Sequence, residues 1–223
     1  MCSQQATMAP ETTDGLRDLL VSYARRGTPM SVAVVGNAPM PPDPARAAAI
    51  DDADLVVRMT SLALDPPAGP RTLGRRCDVV VLHRGLVASP YTFADYQSRL
   101  YLLVEPGRLH WEPHTLPYWW PADLGFVPVP NWRYTVPLLH LLGLDAEQEV
   151  WPTTGTLITY VLTELFPTAS VLLTGMSIVD EPDQVTFRHA WGEPVDVTPE
   201  HRLSAEAELL RRWHASGRIQ LLP

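Results

Sequence analysis

The sequence predicts an α/β protein: a Rossmann-like, mostly parallel sheet with helices on both faces. Three observations carry that expectation. The runs SVAVVGN (31–37), LVVRM (55–59), DVVVLH (78–83) and SVLLTG (170–175) are short, β-branched and almost wholly apolar, as strands covered on both faces are. Segments of helical periodicity separate or follow them, the alternation of a doubly wound sheet. The chain has 223 residues, 46% hydrophobic and 19% charged, enough for one full core.

In order, residues 14–26 read as a helix with Leu16, Leu19, Leu20 and Tyr23 on one face, Asp14 as N-cap and Gly27 as its stop. The strands at 31–37, 55–59 and 78–83 follow, and YLLV at 101–104 is a fourth. Residues 106–137 are dense in Trp, Tyr and Pro without a clean period, and read as loop with short helical pieces. A helix is expected from Thr153 to about Leu165, a strand at 170–175, a helix over 199–216 with Pro199 in its first turn, and a last strand at 218–222. Residues 1–28 form an N-terminal tail and helix, and 29–223 a single domain.

The bulk properties exclude several classes. The net charge is −8 and no long basic run occurs, which disfavours nucleic acid as a partner, because phosphate backbones are bound by displacing counterions with positive charge. All 17 basic residues are Arg, so a catalytic Lys or Schiff base is ruled out. Two cysteines, Cys2 and Cys77, make no disulfide framework, as expected of a reducing cytoplasm. No signal peptide and no membrane span are evident. A soluble, cytoplasmic protein is expected.

Ligands of parallel sheets sit beyond the strand C-termini, so residues just after strands are the candidates. Gly36 and Asn37 end the first strand; they read either as a tight turn or as a place where backbone and amide meet a phosphate or ribose. Arg58 is a cation within an apolar strand, requiring a carboxylate or a phosphate as partner, and Thr60 follows it. Thr153, Thr154 and Gly155 open a helix, whose free amides attract anions when they do more than cap it. Gly175 ends another strand. His189 and His201 are the late imidazoles, His201 placed at a helix start, where the dipole favours its neutral form. Asp52 and Asp54 precede a strand, on the wrong side for a diphosphate-bound metal, so no metal site is expected there. Trp119 and Trp120 either stack on an acceptor or fill core beside the Pro-rich loop.

Taken together these segments resemble the sialyltransferase motifs of glycosyltransferase family 29. VAVVGN followed by IDDADLVVRM is similar to the large motif; PTTG with the later VLLTG resembles the small motif. His189 falls where the third motif has its His, and HRLSAE matches the His-x4-Glu of the very small motif. The match spans residues 32–219. It departs from the family at Met59-Thr60, where Met-Asn is usual, at Ala38-Pro39 after the Gly-Asn, and at Trp191, where a Tyr is common. Val32 stands where the animal enzymes have the first cysteine of a disulfide, and their membrane anchor is absent.

The resemblance implies a variant of the GT-A fold in a bacterial, soluble, sialyltransferase-like domain. It implies a CMP-activated sugar donor, transfer to an acceptor hydroxyl with inversion, and no metal or other cofactor. Gly36, Asn37, Arg58, Thr60, Thr153, Thr154, Gly155 and Gly175 would surround the nucleotide. His189 would steady the leaving phosphate, His201 would take the acceptor proton, Trp119 and Trp120 would face the acceptor, and Glu206 would support the local structure. Two other readings share the pocket: a hydrolase of CMP-sugars or cytidine nucleotides, and a non-catalytic nucleotide binder. A dehydrogenase is disfavoured, since no G-x-G-x-x-G follows the first strand.

Overall fold

The computed structural model describes residues 10–83, 85, 87–107 and 120–223. Its centre is a seven-stranded sheet in which every pairing is parallel. The strands are β1 (Ser31–Val35), β2 (Leu55–Met59), β3 (Val79–Leu82), β4 (Leu100–Leu103), β5 (Val127–Pro128), β6 (Ser170–Thr174) and β9 (Gln220–Leu221). Their order is β5-β4-β3-β2-β1-β6-β9. The chain thus works outward from β1 in one direction, then crosses to β1's other side at β6. That reversal between β1 and β6 opens a crevice at the strand C-termini. A two-stranded antiparallel hairpin, β7 (Thr186–Phe187) and β8 (Val195–Asp196), stands apart from the sheet.

The period-2 alternation of each strand sorts its side chains between two layers. Val32, Val34, Leu55, Val57, Val79, Val81, Leu100 and Leu102 face the main core. Helices α1 (Pro10–Tyr23), α3 (Thr135–Leu141), α4 (Thr154–Leu165) and α5 (Leu203–Ala215) supply the other half of that core. Ala33, Val35 and Val56 point the other way and meet Ile50 of α2 (Pro44–Asp52). Val80, Leu82, Tyr101 and Leu103 meet Leu62 and Cys77, with Phe93, Trp120 and Phe126 packed alongside. Helices therefore cover both faces, as the sequence predicts. Cys77 is buried and unpaired, and burial pushes its thiol up to about 11. Among the described residues no helix is long and apolar enough to cross a membrane.

The elements differ from the sequence expectation in several places. Helix α1 begins at Pro10 rather than at Asp14. Helix α2 has no clear apolar period; it forms because Asp43 caps it, its carboxylate accepting the amides of Ala45 (2.8 Å) and Arg46 (3.0 Å), with Pro44 in its first turn. Helix α5 starts at Leu203, not at Pro199. Residues 198–202 instead form a turn, with the His201 amide on the Thr198 carbonyl (3.2 Å). The Glu200 carbonyl accepts the Trp151 amide (3.2 Å) and is engaged outside the helix.

Arg58 corrects a second expectation. It is 1% exposed and points to the α2 face of the sheet, away from the strand C-termini. Its guanidinium donates to the carbonyls of Arg76 (2.7 Å), Leu73 (2.6 Å) and Ala63 (3.3 Å). Neither a phosphate nor a directly paired carboxylate answers its charge. Carbonyl dipoles do so, helped by the more distant Asp51 and Asp65. The side chain pins the segment 61–77 onto β2. Substitution Arg58→Met keeps the stem volume and leaves three carbonyls without their donor, each costing about 1 kcal/mol or more when buried. A loss of about 3 kcal/mol is expected in urea unfolding, with nucleotide affinity of the folded fraction unchanged.

Candidate functional site

A cavity of about 920 Å³ lies over the C-terminal edge of the sheet, within the range of small-molecule sites. The tips of β1, β2, β3, β4 and β6 form its floor through Asn37, Thr60, His83, Glu105 and Gly175. The start of α4 and the turn carrying His201 form one wall. The β7–β8 hairpin, with Phe187, His189 and Val195, forms another.

The floor is tight where β1 meets β6. Gly36 donates its amide to the Thr174 carbonyl (2.8 Å), and Ala38 donates to Gly175 (3.0 Å). A Cβ on Gly36 would run into the Gly175 carbonyl, and Gly175 itself adopts φ +66°, a conformation that favours glycine. Gly36 is thus demanded by its neighbouring strand before any ligand is considered. Beyond this contact Asn37 accepts the Ala190 amide on its carbonyl (2.6 Å), which draws the His189 segment over the cavity. The buried Oδ1 of Asn37 has no hydrogen-bond partner among the described residues, nor has Oε2 of Glu200 on the opposite wall. Buried polar atoms of this kind are costly unless something satisfies them.

The wall at α4 is set by a buried carboxylate. Thr153 caps the helix, its Oγ1 near the Thr156 amide (3.4 Å). Glu206, fully buried on α5, accepts the Thr153 amide on both oxygens (3.0 and 3.1 Å) and the Thr153 hydroxyl on Oε2 (2.6 Å). Burial raises its pKa despite these bonds. By helix geometry the amides of Thr154 and Gly155 lack intrahelical acceptors, and both residues line the cavity. The space above Gly155, however, is taken by the thioether of Met176. Gly155 makes room for that side chain, so the approach of a ligand to its amide involves displacing a flexible methionine.

Among the described residues three imidazoles border the cavity. His201 places Nδ1 3.1 Å from the Trp151 carbonyl. A carbonyl only accepts, so Nδ1 carries the proton and Nε2 is left as a base. The Phe187 ring stands edge-on to His201, centroids 6.3 Å apart. His189 is half-buried, and desolvation holds its pKa below the ordinary value. His83 opens onto the cavity, so its surface is accessible, yet the surrounding walls displace enough bulk water to lower its pKa too. The charges of His201 and His189 add to that lowering, and Glu105 opposes it.

Of the residues singled out from sequence, Gly36, Asn37, Thr60, Thr153, Thr154, Gly155, Gly175, His189 and His201 all border this one cavity. Arg58 does not. Trp120 does not either: it packs edge-on against Phe93 (5.2 Å) and Phe126 (5.8 Å) and donates its indole N–H to the Leu124 carbonyl (2.8 Å). The ring packs on the cluster that contains Tyr101 and Leu103, and that burial is what holds it. Trp119 lies outside the described residues. Asp54 sits at the opposite, N-terminal edge of the sheet, its carboxylate bound by the Met30 and Ser31 amides (3.0 and 3.1 Å). Among the described residues no cluster of three or more His, Cys, Asp or Glu side chains is arranged to hold a metal. Sequence reasoning missed His83, Glu105, Trp151 and Phe187. His83 and Glu105 had a signal, each a polar residue directly after an expected strand; Trp151 and Phe187 join the cavity only through tertiary packing.

Comparison with known proteins agrees with this architecture. No family model and no curated protein sequence matches the chain. Among solved structures, a mammalian sialyltransferase superposes with a TM-score of 0.54 at 17% identity, covering 98% of this chain and 81% of that one. A mammalian sialyltransferase in complex with Galβ1-3GalNAc-ortho-nitrophenol superposes with a TM-score of 0.53 at 16% identity, covering 98% and 82%. The chain has a sialyltransferase-like fold.

Two outcomes are expected of this site. Glu206→Ala should lower stability by about 2 kcal/mol, because it strands the Thr153 amide and opens a void; chemical denaturation measures it. Because His83 and His189 have folded pKa values below 6.5, the unfolded chain binds their protons first. Their stabilising contribution is complete above about pH 6.5 and is lost as pH falls toward their folded values. The thermal midpoint should therefore decline below about pH 6.5, and less so in a His83→Gln, His189→Gln double variant.

Proposed function

We propose that this protein is a glycosyltransferase that moves a sugar from a CMP-activated donor to an acceptor hydroxyl, with inversion and without a metal. The observation that carries the reading is the convergence of the β1 tip, the α4 N-terminus and two histidines on one cavity, His201 having its Nε2 free as a base. The sialyltransferase-like fold supports it, as does the order of the sequence motifs.

In this reaction the acceptor oxygen attacks the anomeric carbon and its proton passes to His201 Nε2. The bond from that carbon to the phosphate oxygen breaks, and the electron pair leaves with CMP. CMP departs as an anion, so no acid is required; fixed positive potential is. The Thr154 amide supplies it at the start of α4, the Gly155 amide joins once Met176 moves aside, and His189, whose pKa burial lowers, adds an N–H donor rather than a charge; one preorganised donor is typically worth about 3 kcal/mol. A positioned base typically contributes roughly 10²- to 10⁴-fold. Asn37, with its unanswered Oδ1, and Thr60 would complete the nucleotide cradle.

A second reading has one observation in its favour. Trp120, expected to wall the acceptor side, is committed to the core, so water is a candidate acceptor and the reaction would be hydrolysis of the donor. Product analysis with and without added acceptor separates the two.

Ligands that bind only the folded state raise its melting temperature by mass action. CMP is expected to raise it more than UMP or AMP at equal concentration; an equal response to all three, or none, overturns the cytidylate assignment. His201→Ala should abolish product formation while CMP binding survives. Activity should persist in EDTA, whereas a strict Mn²⁺ requirement would remove the metal-independent mechanism.

A further inference from the structure

Two imidazoles in the cavity are fixed by the backbone in opposite tautomers. His201 donates through Nδ1 to a carbonyl, leaving Nε2 a proton acceptor. His83 does the reverse: the Gly85 amide donates to its Nδ1 (3.2 Å). Nδ1 therefore holds a lone pair, and the proton of the neutral ring sits on Nε2. The Cε1–Nδ1 edge of the ring rests against Gly85, where a Cβ would come within 3.2–3.3 Å of it. The Nε2 edge is turned away from that loop, and His83 lines the cavity. A base is needed once in the proposed reaction; a fixed N–H donor facing the same space, near enough to feel the charges of His201 and His189, serves another purpose.

Position indicates which purpose. The nucleotide's proposed cradle lies at the tips of β1 and β6 and at the start of α4. His83 follows β3, three ladder spacings from β6, or about 14 Å. Around it the cavity combines polar groups, His83 and Glu105, with the apolar side chains of Val87 and Val104. That mixture suits a sugar, which presents hydroxyls at its rim and C–H groups on its faces. It suits a phosphate less well than the free amides at the start of α4 do.

We propose that His83 is a substrate-binding residue whose Nε2–H donates to an oxygen of the transferred sugar. The proposal rests on the CMP-sugar reading above. It assigns the β3–β4 end of the cavity to the sugar and the β1–β6 end to the nucleotide. His83 takes no proton in this role, so it is not a second base.

The test compares wild type, His83→Ala and His83→Gln by calorimetric titration with CMP and with CMP-N-acetylneuraminic acid. His83→Ala should weaken the sugar nucleotide about tenfold and leave CMP unchanged. His83→Gln should restore most of the loss, because a glutamine carboxamide carries an N–H near where Nε2–H stood. A His83→Ala variant that binds both ligands as wild type does, or loses both equally, overturns the assignment. So does a wild type that binds CMP but gains nothing from the sugar. Failure of wild type to bind CMP at all defeats the function reading first, and the sugar assignment with it. Independently of any ligand, ¹⁵N imidazole spectra at pH 8 should show His83 protonated at Nε2 and His201 at Nδ1. A His83 ring protonated at Nδ1 overturns the proposal.

Discussion

Glu206 lies on the last long helix with no exposure to solvent, and its carboxylate accepts both the amide and the hydroxyl of Thr153. Those bonds join two parts of the chain more than fifty residues apart. On one side is the α4 N-terminus, whose first amides face the cavity. On the other is the turn before α5, which carries His201. Trp151, two residues before the cap, gives its carbonyl to His201 Nδ1. One desolvated carboxylate thus sets the distance between the proposed phosphate-binding amides and the proposed base, and through Trp151 it also fixes the tautomer of that base. Burying a carboxylate is expensive, and the raised pKa of Glu206 records the cost. The arrangement holds because three hydrogen bonds compensate it.

The same economy governs the rest of the site. Polar side chains there are positioned by backbone groups rather than by one another. His83 is held by the Gly85 amide, His201 by the Trp151 carbonyl, and the His189 segment by the bond from Ala190 to Asn37. For His201 and His83 the backbone bond orients the ring without any ligand. Such fixed dipoles are effective in catalysis because they need no reorganisation when charge develops.

Much of this was legible in the chain before folding. The apolar strands announced a parallel sheet, and a parallel sheet puts its ligand at the strand C-termini. Asn37, Thr60 and Gly175 were candidates for that reason, and the Thr153–Gly155 turn for the free amides of a helix start. Their gathering around one cavity follows from the sheet order, with β1 between β2 and β6. The reasons behind two glycines were not legible. Gly36 is required because the Gly175 backbone passes over it, and Gly155 because Met176 lies on it. Both look like ligand clearances in sequence, since a missing Cβ does not say what fills the space. Arg58 misled similarly: burying a guanidinium requires acceptors, and carbonyls of residues 63–76 supply them as well as a phosphate would.

The sequence by itself determined the sheet, its buried strands and the edge at which a ligand belongs, because hydrophobic period and turn residues are local properties of the chain. It also placed His189 after a strand and His201 at the approach to the last helix. Only the tertiary structure decided which side chains share the cavity, which nitrogen of each imidazole bears the proton, and where Arg58 and Trp120 are spent. Those outcomes depend on hydrogen bonds and packing between residues distant in the chain. Composition and periodicity do not encode which distant partners will meet.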